Sequence, residues 1–169
     1  MKPLPGEGGF YVETYRSSEK IARDALPQRY TGQKSLSTAI LYLLAPCFLA
    51  KARRGLTPDT FSALHRLASD EIFHFYLGDA VTMLLLGPDG SSEIITLGHD
   101  ILNGQRVQVT VPQGVWQGSF LNQGGRFALM GTTVAPGFDF ADYEAARRKE
   151  LLQQYPAHRD LIIRLTSED

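Results

Sequence analysis

The sequence predicts an all-β domain, a sandwich or barrel of antiparallel strands, and three observations carry that reading. Nine short apolar runs of five to nine residues are rich in β-branched and aromatic side chains, which suit a pleated, half-buried surface. Turn residues fall between the runs, and helical patterning is confined to the two ends of the chain.

In chain order the predicted strands cover residues 10–15, 38–44, 60–67, 71–77, 81–86, 93–97, 106–111, 115–121 and 126–134. The turns that separate the later ones are Gly78-Asp79, Pro88-Asp89-Gly90, Asn103-Gly104, Pro112-Gln113-Gly114 and Asn122-Gln123-Gly124-Gly125. In each, a glycine supplies positive φ, or an Asn or Asp side chain mimics a backbone turn. Near the N-terminus, Ser17, Ser18 and Glu19 open a short helix towards Leu26, which Pro27 stops. At the other end Asp142 is placed as the N-cap of a helix over 143–155, with Glu144 in its first turn and Pro156 just beyond it. Leu151, Leu152 and Tyr155 form its apolar edge against the sheet, and Arg147, Arg148 and Lys149 its solvated face. A second short helix is expected over 158–165.

Composition narrows the function classes. Of 169 residues, 43% are hydrophobic, and 17 Lys+Arg against 18 Asp+Glu leave a net charge of −1. A chain of this length buries roughly two-thirds of its unfolded surface, enough for a core without disulfides or a structural metal, and its hydrophobicity argues against disorder. The balanced charge gives no electrostatic footprint for nucleic acid or an anionic membrane. The single cysteine, Cys47, excludes an internal disulfide framework and a Cys-rich zinc site; in its apolar run it reads as a small core residue. The first nine residues have no apolar stretch and do not read as a signal peptide. The longest apolar run, 39–50, is interrupted by Pro46 and too short to span a bilayer. The expectation is one domain over 1–169, soluble and cytoplasmic.

There is no Gly-rich phosphate loop, no Gly-x-Ser-x-Gly elbow and no Cys-x-x-Cys pair. What remains is a set of polar residues inside strands that otherwise read as core, chiefly in 61–78. Alternation puts Phe61, Ala63, His65 and Leu67 on one strand face, and Glu71, Phe73 and Phe75 on one face of the next. If both faces are interior, an imidazole and a carboxylate meet in apolar surroundings. Such a pair holds a metal, acts as acid and base, or is a satisfied structural pair. His74 falls on the face opposite Glu71 unless a bulge intervenes, and reads as a surface or dimer-interface residue or as a ligand contact. Trp116, beside Gln117, is either a stacking wall for a sugar or base, or plain core. Gln108 and Thr110 share a face and contact a polar ligand if that face is inward; Glu13 and Tyr15 share a face in the same way.

At this point the residues resemble the cupin superfamily. His65 lies where the first cupin motif has its first His, and Glu71 is followed by six residues and Gly78. The stretch from Gly104 to Gln117 resembles the second motif in its tail, Pro112-Gln-Gly114-Val-Trp116-Gln117. The likeness is closer to the type-5 cupins of unknown function, carried by Glu7-Gly-Gly-Phe10, Ser37-Thr-Ala-Ile40, His65-Arg-Leu-Ala-Ser-Asp-Glu71 and Val134-Ala-Pro-Gly-Phe-Asp-Phe140. The resemblance implies a double-stranded β-helix, the jelly-roll barrel, and a homodimer. It also implies a metal set, but Leu67 and Gln117 stand where the motifs have two further His residues. The set is thereby reduced to His65, Glu71 and Gln117, and an amide oxygen is a weaker ligand than imidazole. No metal, or a weakly bound divalent ion, is expected.

The functional reading is a barrel pocket for a small polar molecule, sugar-like or nucleotide-sugar-like. It extends to a metal-independent epimerase or isomerase, with His65 as base and Glu71 orienting it or acting as acid. His74, Gln108, Thr110, Trp116 and Gln117 are its candidate ligand contacts. Two alternatives stand beside it: a metal-dependent isomerase or dioxygenase with His65, Glu71, Gln117 and His74 as ligands, and a non-catalytic dimeric binding module.

Overall fold

The computed structural model describes residues 1–45 and 61–167. Its strands are β1 (Lys2–Pro3), β2 (Phe10–Arg16), β3 (Lys20–Ile21), β4 (Lys34–Ser35), β5 (Thr38–Leu44), β6 (Phe61–Leu67), β7 (Asp70–Gly78), β8 (Val81–Leu86), β9 (Ser92–Leu97), β10 (Gln108–Val111), β11 (Trp116–Leu121), β12 (Ala128–Ala135) and β13 (Tyr143–Ala145). Two short helices follow, α1 (Arg148–Gln154) and α2 (Arg159–Arg164). Six strands form one sheet in the order β1-β2-β5-β12-β7-β10, and five form a second, β13-β6-β11-β8-β9; every strand pair is antiparallel. The two sheets face each other as the halves of a jelly roll.

All nine predicted runs are strands, displaced by no more than two residues at either end. The strands missed, β1, β3, β4 and β13, are two or three residues long, too short for alternation to register. Cys47 and Thr60 lie outside the described residues.

Two layers of core explain why some strands alternate and others are apolar throughout. Between the sheets pack Tyr42, Leu44, Phe73, Phe75, Val81, Met83, Val109 and Met130. On the outer face of the five-stranded sheet, Leu64, Leu84, Leu86, Trp116 and Phe120 are covered by Leu151, Tyr155, Ile162 and Leu165 from the C-terminal segment. Strand β8 is buried on both sides, so its sequence reads Val-Thr-Met-Leu-Leu-Leu rather than alternating. Each fully buried aliphatic side chain in the helical layer contributes roughly 1.5–3 kcal/mol, which is what holds helices of six and seven residues that would not form alone.

The ends of the chain correct the sequence reading. The expected N-terminal helix is a single 3-10 turn, Arg23–Ala25, after the short strand β3. The C-terminal helix begins at Arg148 and not at Tyr143, because residues 143–145 extend the five-stranded sheet as β13 beside β6. Asp142 caps nothing: its carboxylate pairs with Lys34 Nζ at 2.6 Å, both side chains 4% exposed. Arg148 is not simply solvated either, since its guanidinium donates to Thr166 Oγ1 at 2.8 Å and to the Ile163 carbonyl. Among the described residues no helix is long and apolar enough to cross a membrane.

One irregularity decides what points into the barrel. Along β11, Gln117 pairs with His65 and Ser119 with Ser62, so Ala63 and Leu64 together oppose Gly118. This is a β-bulge with one extra residue on β6. A Cβ on Gly118 would sit 2.9 Å from the Leu64 side chain and 3.2 Å from its backbone nitrogen, so the bulge requires glycine there. Beyond the bulge the faces exchange: Ser62, His65 and Leu67 are inward, whereas Phe61 and Leu64 pack outward under the helices. The shared inward face of Phe61, Ala63 and His65 predicted from alternation is therefore corrected to Ser62 and His65.

The Lys34–Asp142 pair fixes the segment after β12 against the N-terminal half. Asp142→Ala leaves an ammonium buried without a partner, and we expect a loss of about 3–5 kcal/mol in urea unfolding. Glu144→Ala, which removes only the exposed pair to Arg66, is expected to cost less than about 1 kcal/mol. Equal losses in the two variants would contradict this assignment.

Candidate functional site

The chain passes from one sheet to the other between β6 and β7, through Ala68 and Ser69, so His65 and Glu71 approach the interior from opposite sheets. Both are buried. His65 Nδ1 lies 2.8 Å from the Ala63 carbonyl oxygen in its own bulge. A carbonyl only accepts, so Nδ1 carries the proton and Nε2 keeps its lone pair. The ring stacks on Tyr143 of β13, centroids 5.1 Å apart and planes at 22°.

Nε2 meets a residue that sequence reasoning did not place in the site, Glu7, whose Oε2 is 3.8 Å away. The N-terminal segment is threaded against β6: the Glu7 carbonyl accepts from the Ala63 amide freed by the bulge, and Ser62 Oγ donates to Glu7 Oε1 at 2.8 Å. The following Gly8 has φ +99°, and a Cβ there would lie 2.2 Å from the Phe61 carbonyl oxygen. Tyr42 closes the loop by donating to the Gly8 carbonyl at 3.0 Å. The signal for Glu7 was the Glu7-Gly-Gly-Phe10 motif: two consecutive glycines mark a close backbone approach, but nothing in spacing says that the preceding carboxylate turns inward.

Glu71 accepts a hydrogen bond from Gln117 Nε2 at 2.7 Å, and the Thr132 hydroxyl on β12 also stabilises its carboxylate. Burial raises the carboxyl pKa of Glu71, against the opposing pull of His65. Burial also raises Glu7 to about 7, the Ser62 hydrogen bond offsetting part of the effect. Burial lowers His65, against the opposing charge of Glu71 and its bond to Ala63. Dehydration thus drives acid and base alike to their neutral forms, and below pH 7 the Glu7–His65 contact is not an ion pair.

Glu7, Tyr42, His65, Glu71 and Thr132 line a cavity of about 220 Å³. Leu4, Tyr11, Ile40, Leu67 and Val134 supply apolar walls, while Glu13, Arg16, Phe138, Asp139 and Phe140 frame its polar and aromatic side. A second bulge, between Glu13 and Tyr15 on β2, turns Arg16 rather than Tyr15 to the cavity; Tyr15 is exposed. Arg16 is held by Glu13 through bonds of 2.7 and 3.0 Å and donates to the Phe138 carbonyl at 3.2 Å.

The remaining residues proposed from sequence stand elsewhere. His74 is on the outer face of β7, where Nδ1 is 3.1 Å from Gln108 Nε2 and Nε2 is 3.4 Å from Thr133 Oγ1. Gln108 and Thr110 share that exposed outer face, because Val109 and Val111 take the inward positions of β10. Trp116 faces the helical layer with Arg66 over its ring at 4.4 Å, leaving Gln117 inward. His74, Gln108, Thr110 and Trp116 do not line the cavity, and Gln117, though inward, stands behind Glu71 and does not line it either.

The residues do not fit a cupin metal centre. Leu67 presents an alkyl group, Gln117 turns its N–H₂ to Glu71, and His74 is outside the barrel. Among the described residues no group of three or more His, Cys, Asp or Glu is arranged to hold an ion.

The buried carboxyl has a consequence for stability. The unfolded chain releases the Glu7 proton near the ordinary value of 4.5, the folded state only near 7. Between these values the folded state binds more protons, so Glu7 favours folding at low pH and loses that contribution as pH rises through about 7, by about 3 kcal/mol. His65 acts in the opposite sense, but only below its ordinary value of 6.5. Relative to Glu7→Gln, which keeps an acceptor for Ser62 and leaves the His65 contribution in place, the wild type should therefore lose Tm as pH rises from 4.5 to 8, with most of the difference developing between 4.5 and 7. Parallel pH profiles for the two proteins would rule out a carboxyl perturbed in this way.

Comparison with known proteins places this geometry. A family described as cupin superfamily (DUF985) matches residues 1–146. An uncharacterised protein of Saccharomyces cerevisiae, YML079W, is 30% identical over 155 residues, 87% of this chain and 71% of that protein. The crystal structure of protein SO0799 from Shewanella oneidensis aligns at 32% identity with a TM-score of 0.78, covering 96% of this chain and 89% of that one. A hypothetical protein from Leishmania major aligns at 27% identity and 0.80, covering 99% and 93%. In fold alone the chain is also similar to Bacillus subtilis oxalate decarboxylase, a protein with Mn(II) centres (12% identity, TM-score 0.52 and 0.51, 96% of this chain and 36–37% of that one). With its jelly roll and most of its length matched, the chain belongs to the Cupin_5 family of the cupin superfamily.

Proposed function

We propose that the barrel is the active site of a metal-independent enzyme that moves a proton on a small carbonyl-bearing molecule, as in the epimerisation or isomerisation of a sugar-like substrate. One observation carries this reading. A neutral imidazole with its Nε2 lone pair free lies 3.8 Å from a carboxyl that keeps its proton to about pH 7, in one largely dehydrated cavity. A base and an acid with opposed perturbations are what proton transfer near neutral pH needs.

In this reading His65 Nε2 removes the proton from the carbon next to the carbonyl, while Glu7 gives its proton to the carbonyl oxygen. Return of the two protons, to the other face or to the neighbouring carbon, completes the reaction with no change in oxidation state. Glu71 acts through electrostatics: its charge supports the imidazolium formed in the first step. Glu7 thus takes the acid role first given to Glu71. A cavity of about 220 Å³, below the ~300 Å³ at which drug-sized sites begin, supports a single ring-sized substrate over a nucleotide-linked one.

The test is incorporation of solvent deuterium into a panel of ring-sized aldoses, ketoses and amino sugars, read by mass spectrometry. Exchange into at least one is expected, with a drop of about 10²–10⁴-fold in His65→Gln. Saturable binding without any exchange would replace this reading by a binding module, and exchange unaffected by His65→Gln would remove His65 as the base.

A further inference from the structure

The cavity holds more carboxyl groups than cations. Glu71 is buried and Glu7 half-buried in its floor, and Glu13 and Asp139 stand on its wall. Among the described residues that line it, the only basic side chains are His65, which burial keeps neutral, and Arg16. Arg16 is already engaged by both oxygens of Glu13 and by the Phe138 carbonyl. Among the described residues no cationic side chain is hydrogen-bonded to Glu7 or Glu71.

The hydrogen-bond inventory of the floor points the same way. Most of its donors are committed: Ser62 to Glu7, Gln117 Nε2 and the Thr132 hydroxyl to Glu71, Tyr42 to the Gly8 carbonyl and His65 Nδ1 to the Ala63 carbonyl; the buried Tyr143 hydroxyl beside Glu7 has no partner. What is left is chiefly acceptor capacity, namely His65 Nε2 and, once Glu7 is ionised, its Oε2. Behind Glu71, and outside the cavity lining itself, Gln117 Oε1 is a further buried acceptor with no partner. A buried polar atom without a partner is costly, and a ligand that brings donors relieves it.

We infer that the ligand of this pocket bears a cationic, donor-rich group, an amidinium or ammonium, seated between Glu7 and Glu71, and that anionic molecules of the same size are rejected. The inference deepens the proposed function by naming the charge class of its substrate, and rests on the reading of the cavity as a ligand site. Apolar walls of Leu4, Ile40, Leu67 and Val134 suit a ring behind that group.

Three probes of nearly identical shape isolate the charge: benzamidine, benzamide and benzoate, titrated calorimetrically into the full-length protein near pH 7. Benzamidine is expected to bind at least tenfold more tightly than benzamide, and benzoate to give no saturable binding. In Glu71→Gln, with folding checked by circular dichroism, the preference should fall below threefold; Glu7→Gln provides the same reading if that variant does not fold. Benzoate or benzamide binding as tightly as benzamidine, no binding by any of the three, or a preference unchanged in both variants would overturn the inference. None of the probes has a C–H next to a carbonyl, so the outcome is independent of turnover. Cation selectivity without deuterium exchange would sink the proposed reaction alone; exchange with substrates of any charge would sink this inference alone.

Discussion

An imidazole and two carboxyls, His65, Glu7 and Glu71, share the interior of a barrel whose other inward positions are mostly aromatic and aliphatic. Charged groups brought out of water without a partner are expensive enough that they shed or keep protons instead. That constraint governs the site. It makes His65 a neutral base, keeps Glu7 an acid up to about pH 7, and raises Glu71 by burial against the pull of His65 and the hydrogen bonds of Thr132 and Gln117.

The backbone supplies the means. A bulge in β6 rotates Ser62 and His65 to the same side and frees the Ala63 amide for Glu7; a bulge in β2 does the like for Arg16. Gly118 allows the first bulge, and Gly8 lets the N-terminal segment lie against β6 closely enough to insert Glu7. Bulges of this kind re-aim side chains at sites of function. Their cost in regular pairing is offset by the two apolar layers on either side of the five-stranded sheet.

Much of this was legible from the chain. Strands with clear alternation, such as β5 and β10, and the apolar run of β8 announced themselves, and the burial of His65 and Glu71 followed from the runs they interrupt. What alternation could not supply was phase. A period of two assigns every residue to a face only while the register holds, so one extra residue in β6 was enough to misplace Phe61 and Ala63. For Trp116 the period was right but inside and outside were not distinguishable, because the second core under the helices makes outward positions of β11 apolar as well; Gln108 and Thr110 take the solvated face of β10, opposite the inward Val109 and Val111. Asp142 looked like a cap because Asp before an amphipathic segment usually is one; its buried partner Lys34 lies 108 residues earlier, beyond any local pattern. Glu7 was the largest omission, since its role depends on a long-range contact with the bulge.

The account rests on opposite, neutralising shifts at two neighbouring side chains, and nuclear magnetic resonance reads both directly. Nitrogen-15 shifts of the His65 ring and carbon-13 shifts of the Glu7 carboxyl, followed from pH 5 to 9, should show a neutral Nδ1–H imidazole at pH 7 and a carboxyl that titrates near 7. An imidazolium at pH 7 together with a Glu7 midpoint near 4.5 would contradict it.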